Sequence, residues 1–241
     1  MSMEHAQSSP VTSVGQSSAS PVTSLDDPRA LQILTTEHWS VLTARSLAYN
    51  EAFVRAGMFL AFLSTSFIAL ALLAEAMSFG KQFLSVAAIV LAFDVVIGLT
   101  TFGRIAGANF DDLRALHGMA RIRHGYTQVA PLLAPYLSTA THDDADSVIA
   151  DYASPDSAVA QVWYALTTSL GMIGLIVAML GGVLVCVINL LIGLATEVAV
   201  WIGLASALVI FLAMVAITRR DILRNQAALE TRFPAPADAV D

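Results

Sequence analysis

The sequence predicts an all-α membrane protein: four transmembrane helices arranged as two hairpins, with a small cytoplasmic helical region. Three observations carry this expectation. Of 241 residues, 56% are hydrophobic and only 13% are charged, against roughly 25% charged in a soluble domain. The mean hydropathy is +0.70. The apolar excess also falls into four blocks of about 20 residues, the length that a 30 Å hydrocarbon layer demands of a helix rising 1.5 Å per residue.

Residues 1–26 precede the first ordered signal. They are rich in Ser, Thr, Pro and Gln and repeat Ser-Pro-Val-Thr-Ser at 9–13 and 20–24. Such a segment buries too little apolar surface to offset its ordering entropy and is expected to be a disordered tail. It has neither the basic n-region nor the apolar h-region of a signal peptide. Asp26-Asp27-Pro28 then reads as a helix start, since a carboxylate caps free N–H groups and proline suits the first turn. Residues 27–55 recur with helical spacing through Leu31, Leu34, Trp39, Leu42, Tyr49 and Phe53 but are too polar to span. One or two cytoplasmic helices are expected there, with Thr35-Thr36-Glu37 as a second possible start.

The first hairpin occupies 56–103, with spans at 56–76 and 83–103 joined by a turn holding Gly80 and Lys81. Residues 104–168 are polar. Pro131 and Pro135 interrupt helix there, and 139–156 carries five Asp and no basic residue. A cytoplasmic helical region is expected from this segment together with 27–55. The second hairpin occupies 169–218, with spans at about 169–193 and 197–217. A polar tail follows at 219–241.

Lysine and arginine are few but one-sided. Eleven of the twelve lie in the N-terminal, central and C-terminal polar segments, and only Lys81 lies in a hairpin turn. The positive-inside rule therefore places both termini and the central region in the cytoplasm. The net charge of -7 argues against a nucleic-acid partner. Cys186, the single cysteine, sits within an apolar block and rules out an internal disulfide.

Asp94 is the sharpest chemical feature, at the middle of the second block. A charged side chain at the bilayer centre costs roughly 2.5–3.5 kcal/mol on insertion scales, and such groups usually face protein or water. No Lys or Arg lies in any span to pair with it, so a neutral acid is expected. That acid could donate to Ser64, Thr65 or Ser66 in the adjacent span, or to Asn189. Asp94, Ser64 and Asn189 form the candidate intramembrane polar site, read either as an interhelical packing bond or as part of a proton or ion path. The second feature is a pair of small-residue rows, Gly174, Ala178 and Gly182 in the third block and Ala199, Gly203 and Ala207 in the fourth. Four-apart small residues let helix backbones approach closely. They serve either the packing of these two helices on each other or a homo-oligomer interface.

Catalytic and metal signatures are missing. His117, His124, His142, Asp143 and Asp144 have no HExxH-like or CxxC spacing, and no nucleophile elbow or phosphate loop is present. No enzyme activity, metal or cofactor is expected.

The stretch 35–60, with Trp39, Tyr49, Phe53 and Ala56-Gly57-Met58-Phe59-Leu60, and the stretch Gly118-Met119-Ala120-Arg121-Ile122-Arg123-His124-Gly125-Tyr126 resemble an uncharacterised group of bacterial, often actinobacterial, four-span integral membrane proteins. The resemblance covers about residues 33–193. It implies a membrane location, no known activity and no site residues. The expected placement is the cell's inner (plasma) membrane, multi-pass. The expected role is a self-associating scaffold or accessory subunit with lipid, a second copy or a cytoplasmic protein as partner. The alternative is an oligomeric ion channel or proton-coupled transporter using Asp94.

The charge asymmetry has a direct consequence. In a Cys186→Ala background, a cysteine at Lys81 or Ala195 is expected to react with a membrane-impermeant maleimide on intact cells. One at Ser147 is expected to react only after lysis. The opposite labelling pattern would invert the topology.

Overall fold

The computed structural model describes residue 22 and residues 24–150 and 157–236. Most of the expected tail, with the first Ser-Pro-Val-Thr-Ser repeat, lies outside the described residues. Among the described residues six α-helices follow in order: α1 Pro28–Met77, α2 Lys81–Val129, α3 Ala145–Ala150, α4 Ala158–Thr167, α5 Ser169–Leu191 and α6 Thr196–Ala228. A 3₁₀ turn at Pro131–Tyr136 lies between α2 and α3. Helices α1, α2, α5 and α6 are each long and apolar enough to cross a membrane. The chain is an all-α integral membrane protein.

The first hairpin departs from the sequence expectation at the membrane boundary. No break separates the polar part of α1 from its span, and none separates the span of α2 from the polar residues after it. At 1.5 Å per residue each helix runs about 75 Å, more than twice the hydrocarbon thickness. Asp27 does cap α1, accepting from the Arg29 N–H at 2.9 Å. Thr35 and Thr36 open no second helix. Their hydroxyls donate back to the carbonyls of Leu31 and Gln32 at 2.8 Å, inside the same helix.

The buried faces of these two helices show why they stay together. In α1 the buried positions include Ala52, Ala56, Phe59, Leu63, Ser66 and Leu70, and in α2 Ala87, Leu91, Asp94, Gly98, Thr101, Ile105, Ala108 and Asp112. The steps alternate between three and four residues, the heptad spacing of a coiled-coil seam. Many of the residues are small or polar. This is the chemistry expected where lipid removes any hydrophobic preference between helix faces and close approach supplies the attraction.

Helix α5 lies over this seam. A Cβ on Gly98 would come within 2.6 Å of Val177 on α5 and 3.0 Å of Phe59 on α1. Gly98 is thus the point where three helices converge. Helix α6 packs on α5 through the two small-residue rows. A Cβ on Gly182 would meet the Gly203 carbonyl oxygen at 2.6 Å and Ala207 Cβ at 2.7 Å. Ala178 and Ala199 are buried, and Gly174 faces Phe102 of α2. Both rows are therefore occupied within one chain.

The turns between spans use different devices. Gly193 takes φ +91° in the second turn, where glycine has no Cβ to clash. The first turn places Ser78 and Phe79 at φ 50° and 54°, a region that side-chain-bearing residues adopt at some cost.

Gly182→Leu is expected to lower stability by about 1–3 kcal/mol through overpacking. Gly103→Leu, where an added Cβ meets nothing within 4 Å, is expected to be near neutral. Thermal unfolding in detergent separates the two outcomes.

Candidate intramembrane site and the cavity at the membrane boundary

Asp94 sits halfway along the span of α2 and is fully buried. The heptad seam points it at α1, where Ser66 Oγ donates to its Oδ1 at 3.0 Å. Its Oδ2 has no hydrogen-bond partner among the described residues. The other two members of the expected site lie elsewhere. Ser64 is exposed and donates to Leu60 O on its own helix at 2.8 Å. Asn189 Nδ2 donates to Val185 O at 2.8 Å, again within its helix. The physical reason is register. Ser66 lies seven residues beyond Phe59 on the buried seam, whereas Ser64 falls off it. A hydrogen bond of this kind between membrane helices contributes about 0.6 to 2 kcal/mol.

A second polar group was not singled out in the sequence. About two to three helical turns beyond the spans of α1 and α2, Arg45 pairs with the buried Asp112 through Nε and through Nη2, the latter at 3.2 Å. Tyr49 lies beside them. Burial first, and then the Asp112 carboxylate, pushes its hydroxyl up to about 12, so it stays a protonated donor. Glu51 of α1 bonds both Arg104 of α2, at 2.6 Å, and Arg55, at 3.1 Å. The seam register could have found Asp112: the three-and-four steps that bury Asp94 and Gly98 reach it without interruption.

A cavity of about 630 Å³ opens at this level. Tyr49, Asn109, Asp112, Thr168 and Gln226 supply its polar lining, with Phe53, Ile105 and Leu170 among its apolar walls. It owes its shape to the helix break at Thr168. Helix α4 ends there, and the Thr168 hydroxyl caps α5 by accepting from the Gly171 N–H at 3.1 Å. Gly171 is obligatory at this bend, since a Cβ would lie 2.0 Å from the Ala165 carbonyl oxygen. Because Arg45 neutralises Asp112, the cavity presents hydroxyls and amides without a net local charge from that pair.

Farther from the spans, Asp143 is fully buried and gathers the C-terminal segment. Arg121 Nε donates to it at 2.7 Å, the Phe233 N–H at 2.7 Å and the Arg232 N–H at 3.0 Å. Arg121 also donates to the Glu230 carbonyl, and the His124 ring stacks on Phe233 at 4.4 Å. Burial works against ionisation of Asp143, but Arg121 and the two backbone donors outweigh it and hold the carboxyl below the usual carboxylate range. Asp144 caps α3 through Ser147 and also accepts from the Ala235 N–H, with the same net direction. These contacts span about ninety residues of sequence, and no local pattern marks them. His117 bonds the Leu113 carbonyl of its own helix. Among the described residues no three His, Cys, Asp or Glu side chains group as metal ligands.

No protein-family profile, curated protein or solved structure matches the chain.

Two outcomes follow from this geometry. Arg45→Ala removes the cation that neutralises the buried Asp112 and is expected to destabilise by about 3 kcal/mol. Asp112→Asn leaves only the partly exposed Arg45 and is expected to have a smaller effect, so the two melting temperatures in detergent should differ in that order. Asp143 and Asp144 titrate below their unfolded values. Their stabilisation is therefore complete above about pH 4 and is lost as pH falls through the lower folded values. Protection of the Arg232 and Phe233 amides against hydrogen exchange is expected to persist at pH 7 and collapse in stronger acid. Asp143→Asn is expected to weaken that protection at pH 7.

Proposed function

We propose that this protein is a self-associating membrane scaffold or accessory subunit, seated multi-pass in the inner (plasma) membrane with both termini in the cytoplasm. The supporting observation is the face that α1 leaves uncovered beyond its span. Ile33, Trp39, Leu47, Phe53 and Val54 are each more than half exposed there, and 28–55 is too polar to lie within lipid. Ile33, Leu47 and Val54 are separated by multiples of seven and share one side of the helix, as do Trp39 and Phe53. Side chains of this size on an extramembrane helix suit a protein–protein contact. Because the small-residue rows of α5 and α6 are filled within the chain, self-association rests on this α1 face instead.

The channel or transporter reading finds less support. Asp94 is sealed between α1 and α2, and neither the boundary cavity nor the second large cavity includes it among its lining residues. The Ser66 bond suits a packing role.

The mass of the full-length protein in mild detergent, measured by light scattering, tests the proposal. The parent is expected to be oligomeric. Trp39→Ser combined with Leu47→Ser is expected to weaken association by about tenfold or more without lowering the melting temperature, since both side chains are exposed. A monomeric parent, or an oligomer that the double variant leaves intact, would overturn it.

A further inference from the structure

Beside the boundary cavity lies a second one, of about 490 Å³, with different chemistry. It is bounded by Phe102 of α2, by the bend around Thr168 and Gly174, and by one face of α6. That face carries Phe211, Val215, Arg219 and Ile222 at steps of three and four residues, so they stack along the groove. Its walls are almost wholly apolar except at one end, where Arg219 stands. From Phe211 to Arg219 is eight residues, about 12 Å along the helix, enough for the upper half of an acyl chain.

The charge at the mouth is net positive, with three arginines around the single acid Asp221. Arg219, Arg220 and Arg224 are all exposed, and none makes an ion pair among the described residues. They begin where the apolar part of α6 ends, at headgroup depth. A guanidinium there offers two parallel donors to a phosphate diester. An apolar slot leading to an uncompensated cation is complementary to a lipid that carries a net negative phosphate, and not to a neutral amphiphile.

We propose that this groove binds an anionic phospholipid, with one acyl chain between α2, α5 and α6 and the phosphate on Arg219. The site is distinct from the α1 face and does not depend on self-association.

The test uses the purified full-length chain, titrated in mild detergent with phosphatidylglycerol, phosphatidylcholine or glycerol phosphate and read by native mass spectrometry. Phosphatidylglycerol is expected to bind at least fivefold more tightly than phosphatidylcholine, the contribution of about one arginine at a membrane surface. Arg219→Gln is expected to abolish that preference, weakening phosphatidylglycerol at least fivefold more than phosphatidylcholine. Val215→Trp, and as a second block Leu212→Trp, are expected to weaken both lipids by filling the slot. All three positions are exposed on the helix surface, and matched melting temperatures confirm the fold. Equal binding of the two lipids by the parent, or full phosphatidylglycerol preference in Arg219→Gln, would overturn the proposal. So would lipid binding unaffected by either Trp variant, or glycerol phosphate binding as tightly as the lipid, which would mark a simple anion site.

Discussion

One seam between α1 and α2 has to hold in two solvents, and the rest of the molecule is arranged around it. Inside lipid, apolar surface gains nothing by leaving the tails, so helices adhere by close backbone approach and by the few polar groups they can pair. Outside lipid, the same two helices face water, where apolar burial and ion pairing both act. The seam changes composition accordingly. Phe59, Leu63, Ser66, Asp94 and Gly98 form its membrane part, while Arg45, Tyr49 and Asp112 take over beyond the boundary. The spacing does not change, and continuity of the heptad lets each helix run unbroken through the transition.

Everything else docks on that frame. Gly98 makes the hollow into which Val177 of α5 fits. The bend at Thr168 ends α4 and starts α5, and the two cavities open on either side of Tyr164, Leu170 and Ile222, which line both. Helix α6 adds itself to α5 through glycine-to-glycine contact, and its polar end carries the chain back to Asp143. The buried carboxylates differ with depth. Asp94 has one hydroxyl partner at mid-membrane, Asp112 an arginine beyond the boundary, and Asp143 an arginine and two backbone donors farther out. Partners grow stronger toward water, where an ionised carboxylate is easier to sustain.

The number of spans and the hairpin arrangement were legible because bilayer thickness imposes a length on apolar runs, and the Asp27-Pro28 start was legible because helix capping is local chemistry. Which faces meet was much less so. In α1 and α2 the lipid side is as apolar as the protein side, so hydrophobic periodicity is nearly erased, and Ser64 could not be told from Ser66 by composition. Only the row of small and polar residues marks the buried face, and it does so once a register is chosen. Thr35 and Thr36 misled for a related reason: the same hydroxyl that caps a helix can bond back inside one. The docking of Asp143 on residues 232 and 233 was invisible, because no periodic pattern connects positions so far apart in the chain.

The continuity of α1 and α2 across the membrane boundary is the claim on which the arrangement stands. Hydrogen–deuterium exchange of the full-length protein in detergent, resolved at 45–60 and 100–115, measures it. Slow exchange throughout both windows is the expected result, because unbroken helices packed along one seam keep their amides bonded. Rapid exchange confined to residues flanking Arg55 and Arg104 would contradict it, showing separate helices hinged where the chain leaves the lipid.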